Sequence, residues 1–528
     1  MCIRDRARLS FRGDSSNPMD ADGSVRLVGR NFRWERRGWE SLRLAAAMTG
    51  RNLTVSELAL HQGENELVAE CHSSLPSDWH ALLRAPFTAN FRAKLVDAGS
   101  LASLFGPDVS SLGGTLYLDG SVRGADNKAE GYCQFSGLGT RFRGLTVDWI
   151  KGCLLFEGAT TRIPYAEAAA CPDGISLSGS VDNGSPHAYR GEAEVSVKDL
   201  ARRLGELGLN ASPTIGAGAL SGSWKGEGDI TAHRGEFRAR FTDWVSRWTK
   251  GGISGNVEGA YGPGSLNLGK VQMIQDDLSL SLGLTATRQR LDLAGITVAK
   301  AGSKKPQATG EISLPLDLMD FWTGGDLFRT LAMDQPMTMK LKAEGLLADQ
   351  LEDLLGQEKN CTGKLEGWIT AGGTPSSPEL NGSIAVRGFE PEGSAARRDL
   401  TFSMKTAGGQ TTATLHQENE TETLHAECSL PLRISKNSGG LVPDAAQPLQ
   451  GSVIARKVPL NGWASLLGIT ALRSAKSIMI DGGVSISGTV GLPLAQGTLE
   501  LKADAIPLVG SHPLGLSLIH ISEPTRPY

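Results

Sequence analysis

Apolar and polar residues alternate with a period of two along much of this chain. In "FTANFRAKLV", Phe87, Ala89, Phe91, Ala93 and Leu95 fall on one side, and Thr88, Asn90, Arg92 and Lys94 on the other. The same beat returns at Leu278, Leu280, Leu282 and Leu284 in "LSLSLGL", at Met337, Met339, Leu341 and Ala343 in "MTMKLKA", and at Leu499, Leu501 and Ala503 in "TLELKA". Successive side chains of a β-strand point to opposite faces, so each segment predicts a strand with one oily and one wet side. That is the pattern of an antiparallel sheet, and the chain is expected to be mainly β.

Two distant segments are nearly the same sentence: "LHQGENELVAECHSSLP" from Leu60 to Pro76 and "LHQENETETLHAECSLP" from Leu415 to Pro431. Each predicts a hairpin, the first turning near Gly63 and the second between Glu418 and Thr421. The copies differ by two residues in the turn and by two after the cysteine, and a shift of two keeps every side chain on its face. Cys71 and Cys428 should therefore share one inward position. On the same reading His61 and His72 point away from the Cys71 side, and His416 and His425 flank the apolar positions.

Longer units surround these hairpins. Four short amphipathic stretches end in glycine: "SLASLFG" at Gly106, "DLARRLG" at Gly205, "QLEDLLG" at Gly356 and "GWASLLG" at Gly468. Each predicts a brief helix with a glycine stop that covers a sheet edge or rim as a corner or plug. A Gly-rich strand pair is expected after each, in "GGTLYLDGSVRG", "GALSGSWKGEGD", "GKLEGWITAGGT" and "GGVSISGTVG". This predicts four degenerate units, near 86–136, 188–241, 337–388 and 449–503, inside a repetitive region spanning 9–515. Residues 1–8 and 516–528 resemble translated sequencing-adapter read-through and are expected to be foreign to the fold, with both natural ends missing.

Composition agrees with many short strands and tight turns: of 528 residues 66 are glycine, 40% are hydrophobic and 6% aromatic. A net charge of −4 with scattered Lys and Arg leaves no electrostatic footprint for nucleic acid. Cys71, Cys133, Cys153, Cys171, Cys361 and Cys428 show no metal-like spacing and read as ordinary buried thiols. No nucleophile elbow, P-loop or zinc-protease motif is present, so no catalytic residue, metal or cofactor is expected. Trp244 and Trp248 in "FTDWVSRWTKGG" have helical spacing and are read as packed or capping residues. Arg30, Arg33, Arg36 and Arg37, with Trp34 and Trp39, read as a solvated face.

The stretches "GKLEGWITAGGTPSSPELNGSIAVRG" (363–388) and "GGVSISGTVGLPLAQGTLELKA" (482–503) place a Gly-flanked strand, a turn with Pro and Gly, and another strand in succession. This resembles the AsmA-like superfamily and within it the TamB family, the translocation and assembly module proteins of bacterial envelopes. The likeness extends over roughly residues 20 to 510. It implies an elongated, curved, repetitive antiparallel β-sheet that forms a hydrophobic groove, with a few short helices. It also implies a place in the periplasm, an inner-membrane tether through a missing N-terminal anchor, and phospholipids as cargo. An outer-membrane β-barrel assembly protein is an expected partner.

Under that resemblance the inward positions line a lipid groove. They are Phe87, Phe91, Leu116, Leu118, Leu278, Leu280, Leu282, Met339, Leu341, Ile384, Val386, Leu424, Ile486, Leu499 and Leu501. Period two by itself is most simply the closed core of a sandwich, barrel or β-helix; the resemblance favours an open groove instead. Two other roles are compatible with the pattern: a scaffold or chaperone for outer-membrane β-barrel proteins, and a surface β-helix adhesin.

Overall fold

The computed structural model describes residues 6–13, 22–34, 37–76, 84–96, 113–126, 128–142, 145–206, 218–245, 252–316, 328–348, 350, 361–391, 397–418, 422–435, 440–443, 445–459 and 478–503. The chain divides into two compact units, residues 1–244 and 245–528. Each is an antiparallel meander.

In the first unit, β1 (Arg6–Arg12) to β14 (His233–Trp244) pair in chain order, each strand with the next. In the second, β15 (Ile253–Gly262) to β25 (Thr423–Leu430) do the same, and β28 (Gln450–Pro459), β29 (Ile478–Thr489) and β30 (Leu492–Ala503) continue the order. A separate two-stranded hairpin, β26 (Leu432–Ser435) with β27 (Gly440–Pro443), interrupts this order. Among the described residues β1 pairs only with β2 in the first unit and β30 only with β29 in the second, so neither meander closes into a barrel.

The two near-identical sentences are hairpins, as their pattern predicts. The first is β4 (Asn52–Gln62) with β5 (Asn65–Ser74), and the second is β24 (Gln410–Glu418) with β25. Gly63 takes φ +58° in the first turn, a left-handed conformation that glycine adopts without penalty. Cys71 lies opposite Val55 and Ala89, and Cys428 opposite Ala413 and Gly451, so both sit on the apolar face. His416 and His425 face each other across their ladder on the other side, with ring centroids 5.9 Å apart.

The Gly-rich "strand pairs" are instead single unbroken strands: β7 (Gly113–Ala125), β13 (Ala219–Gly228), β21 (Cys361–Thr374) and β29. Their internal glycines do not turn the chain; in β7, Gly120 and Gly124 leave room for Phe91 and Phe87 of the neighbouring strand. Trp244 is likewise the last residue of a strand rather than part of a helix, its ring edge-on to Phe241 at 6.0 Å. Trp248 and Arg36 lie outside the described residues, and Arg30 is exposed on β2 (Asp22–Trp34). Cys153 is buried and Cys71, Cys133 and Cys428 half-buried, but Cys171 is exposed, because it sits in the turn between β10 (Thr160–Ala170) and β11 (Asp173–Asp182).

One of the four expected helices is described. Helix α1 (Leu200–Glu206) connects β12 (Tyr189–Val197) to β13. The stretches ending at Gly106, Gly356 and Gly468 fall outside the described residues apart from Gln350. Asp199 caps the first turn by accepting the Arg202 N–H at 3.0 Å. The helix does not stop at Gly205; Glu206 extends it by pairing with Arg203 at 2.7 Å.

Arg203 staples the helix to the sheet. Its guanidinium pairs with Asp173 and donates to the Ala170 carbonyl at 2.6 Å, while Asp173 also accepts the Lys198 N–H at 2.7 Å. Burial pushes the Asp173 carboxyl up, but the Lys198 N–H and the Arg203 charge outweigh it and hold it below the usual carboxylate range. Its folded-state value is depressed, so this stabilisation is present above about pH 4 and is lost as pH falls below that. Asp173→Asn is expected to cost about 2–3 kcal/mol at pH 7 and to flatten the acid limb of stability, read by urea denaturation at pH 7, 5 and 3. A variant as stable as the parent at pH 7 would remove the staple.

Candidate functional site

The register brings the apolar positions of successive strands side by side. In the first unit one row runs Leu60, Leu67, Ala93, Leu118, Phe135, Gly152, Ala166, Leu177, Ala193, Trp224 and Phe237, each directly opposite the next across eleven strands. In the second, Gly255, Met273, Leu280, Val298, Ala308, Ala343, Gly367, Ile384, Phe402, Leu415, Ala426, Val453, Val484 and Gly497 do the same across fourteen. Neither row contains a polar side chain. At a strand spacing of about 4.8 Å, the second row covers roughly 60 Å of ladder.

Every candidate lining residue with a described side chain lies on these faces. Phe87, Phe91, Leu116 and Leu118 share the face in the first unit, with Phe91 opposite Ala69 and Leu116 opposite Leu95. Leu278, Leu280, Leu282, Met339, Leu341, Ile384, Val386, Leu424, Ile486 and Leu499 share it in the second. The backbone of Leu501 pairs with Ile480, and its side chain lies outside the described residues.

Burial decides between a core and a surface. Residues in a closed core are almost fully withdrawn from solvent, yet here only Leu278 among the described candidates is buried. Phe87 is 38% exposed, Leu341 36%, and on the same face Ile175 reaches 50% and Leu177 39%. Coverage varies along the two rows: Ala93 and Val298 are buried, most of the others are partly exposed, and Leu177 and Phe402 are exposed. What burial exists is local, as where Ala93 and Leu95 meet Leu60, Leu67, Leu116 and Leu118, or where Leu278, Val298 and Leu346 meet.

Glycines flatten this face. The Phe91 ring lies where a Cβ on Gly120 would come within 2.5 Å of it, Phe135 covers Gly152 in the same way at 2.3 Å, and Trp224 covers Gly226 at 2.4 Å. Leu341 lies over Gly310 at 2.5 Å. Large side chains thus lie along the sheet instead of standing out from it, and the result at these positions is a low, even apolar surface.

The other face is wet and cross-linked by charge. Arg92 pairs with Asp119 at 3.1 Å, Arg123 with Glu130 at 2.5 Å, Lys151 with Glu167 at 2.8 Å and Lys225 with Glu192 at 2.5 Å. Glu227 accepts from both Arg234 and Arg190, which hold its carboxyl below the ordinary range. Exposed pairs of this kind contribute little stability each, but they keep this face hydrated and the two faces distinct.

A polar cluster that period-two reading passed over interrupts the second unit's stripe. Arg398 and Gln417 are buried, Arg398 pairs with Glu422 at 2.8 Å, and Gln417 donates to the same carboxylate at 3.1 Å. Gln417 stands between Leu400 and Leu424 on the apolar side. The available signal was parity: Arg398 shares the phase of Leu400 and Phe402, and Gln417 that of Ala413 and Leu415. The cluster adjoins a buried group of Phe389, Leu400, Ala455 and Val458, so it closes one margin of the face.

Among the described residues no cluster of His, Cys, Asp and Glu could hold a metal ion, and no helix is long and apolar enough to cross a membrane. No protein-family model and no curated protein sequence matches this chain.

Proposed function

We propose that this chain is part of an AsmA-like, TamB-type envelope protein that shields phospholipid acyl chains on its apolar face while they pass between the inner and outer membranes. The observation that carries this reading is the unbroken apolar row in each unit, mostly short of full burial and paved flat. A lipid with roughly 30 methylene groups faces a penalty of about 20 kcal/mol or more in water, at about 0.8 kcal/mol per group. An even hydrocarbon strip offsets most of that penalty, and a row free of polar side chains leaves no single position in it to trap the chain. Transfer on such a surface is passive, with direction supplied by partners at the membranes. So large an apolar area would not stay bare on a free-standing soluble protein, which favours an apolar occupant.

The test places a photoreactive amino acid at Ile175, on the exposed part of the stripe, and irradiates the protein in bacterial envelopes. Crosslinks to phospholipid are the expected result. Crosslinks to unfolded β-barrel polypeptides, without lipid, would replace this reading by the scaffold role. In purified protein, a phosphatidylcholine with brominated acyl chains is expected to quench fluorescence, and Trp224→Phe to remove part of that quenching because Trp224 lies in the row. Quenching that is absent, or indifferent to Trp224, would overturn the reading.

A further inference from the structure

The β26–β27 hairpin occupies the same face that the proposed function assigns to hydrocarbon. It is a sheet of its own with four residues in each strand, and a lone hairpin of that size is marginal in water. Its order therefore depends on what it leans against. The Ile434 N–H donates to the Pro375 carbonyl at 2.9 Å, and Leu432 and Ile434 pack on Met337, Ala371 and Leu380, with Met339 and Met404 alongside. Leu441, opposite Ile434 in the small ladder, stays 47% exposed, so the outer strand leaves its apolar side chain in solvent.

The segments before and after the hairpin are fixed independently of it. On one side β25 is in register up to Leu430, opposite Thr411. On the other, Leu449 donates to the Gly488 carbonyl, and Val490 and Gly491 donate to Gln447 and Ala445. The hairpin can leave the face without unpairing a strand of the main sheet. The surface beneath it suits an exchange of occupants, because Met337, Met339 and Met404 are unbranched and polarizable and repack around different partners. Next to that patch lie Leu341 and Phe402, both about one-third exposed.

We propose that the β26–β27 hairpin is a displaceable cover: it fills the methionine-lined margin of the apolar face in the empty protein and gives way when an acyl chain takes that margin. This rests on the lipid reading above. The hairpin and the acyl chain offer the margin the same kind of contact, aliphatic carbon without hydrogen bonds, so each can replace the other.

The experiment measures amide hydrogen exchange across residues 432–443 in the delipidated full chain, and again after loading with dioleoyl phosphatidylcholine, with occupancy read by mass spectrometry on the same samples. Exchange in the loaded protein is expected to rise on the order of tenfold as the hairpin loses its support. Ile434→Ser is expected to exchange fast without lipid and to raise occupancy. If lipid binds and exchange in the hairpin stays unchanged, the hairpin is a fixed part of the fold; this overturns the inference and leaves the lipid reading standing. If Ile434→Ser lowers occupancy, the hairpin is part of the binding surface and the inference is likewise overturned. If no lipid binds to any form, both fall together.

Discussion

Replacing Arg398 by alanine is expected to destabilise the second unit by about 3–5 kcal/mol, because it leaves the Glu422 carboxylate half-buried beside Gln417 with its guanidinium partner gone. The ion pair itself is not expected to contribute that much. Desolvating two charges costs nearly as much as their attraction returns, so the triple variant R398M/Q417L/E422L, which removes all three polar groups, should recover most of the loss. Urea denaturation of the three proteins decides this, as a drop in midpoint for R398A and its return in the triple variant. A loss below about 1 kcal/mol in R398A would mean that water reaches Glu422 and that this margin of the face is open.

Phe402→Lys is expected to leave the protein folded and to weaken lipid loading by roughly a hundredfold, from a charge placed against hydrocarbon at a cost of about 3 kcal/mol. Phe402 is only partly covered, so its lysine ammonium can reach water in the empty protein but not beneath an acyl chain. Two controls separate face from hydrophobicity. Trp368→Lys changes a more exposed aromatic that points to the wet face, opposite Lys342 and Ser383, and should leave loading unchanged. Leu400→Lys lies on the apolar face but is buried, and should unfold the unit instead. Equal loading by the Phe402 and Trp368 variants would show that the apolar row is not where lipid sits.

Strand identity and facing were legible before any coordinates. The alternation at Phe87 to Leu95 and at Leu278 to Leu284 assigns each side chain to a face because a pleated strand has no other choice. The matched hairpins were legible for the same reason, since an insertion of two residues cannot swap faces. The short helix at Leu200 was readable as an amphipathic stretch ending at Gly205, while its Asp199 cap emerged only in the structure. The misread segments have local causes. Glycine marks turns at Gly63 but close packing at Gly120 and Gly226, and residue type alone does not separate the two. Trp244 and Trp248 sit at helical spacing in a segment whose start completes a strand. The hairpin at Leu432 was passed over because four-residue strands are too short to establish a period.

What sequence alone determined is a chain of strands with one apolar and one polar face, in an antiparallel order suited to a meander. Only the tertiary structure decided whether that apolar face is covered, because a period of two is the same in the core of a sandwich and on an open sheet. The difference lies in which elements come to rest against it. Here those elements include the Arg398 margin and a small hairpin, while Phe87, Ile175, Leu177, Leu341 and Phe402 on the same face stay exposed.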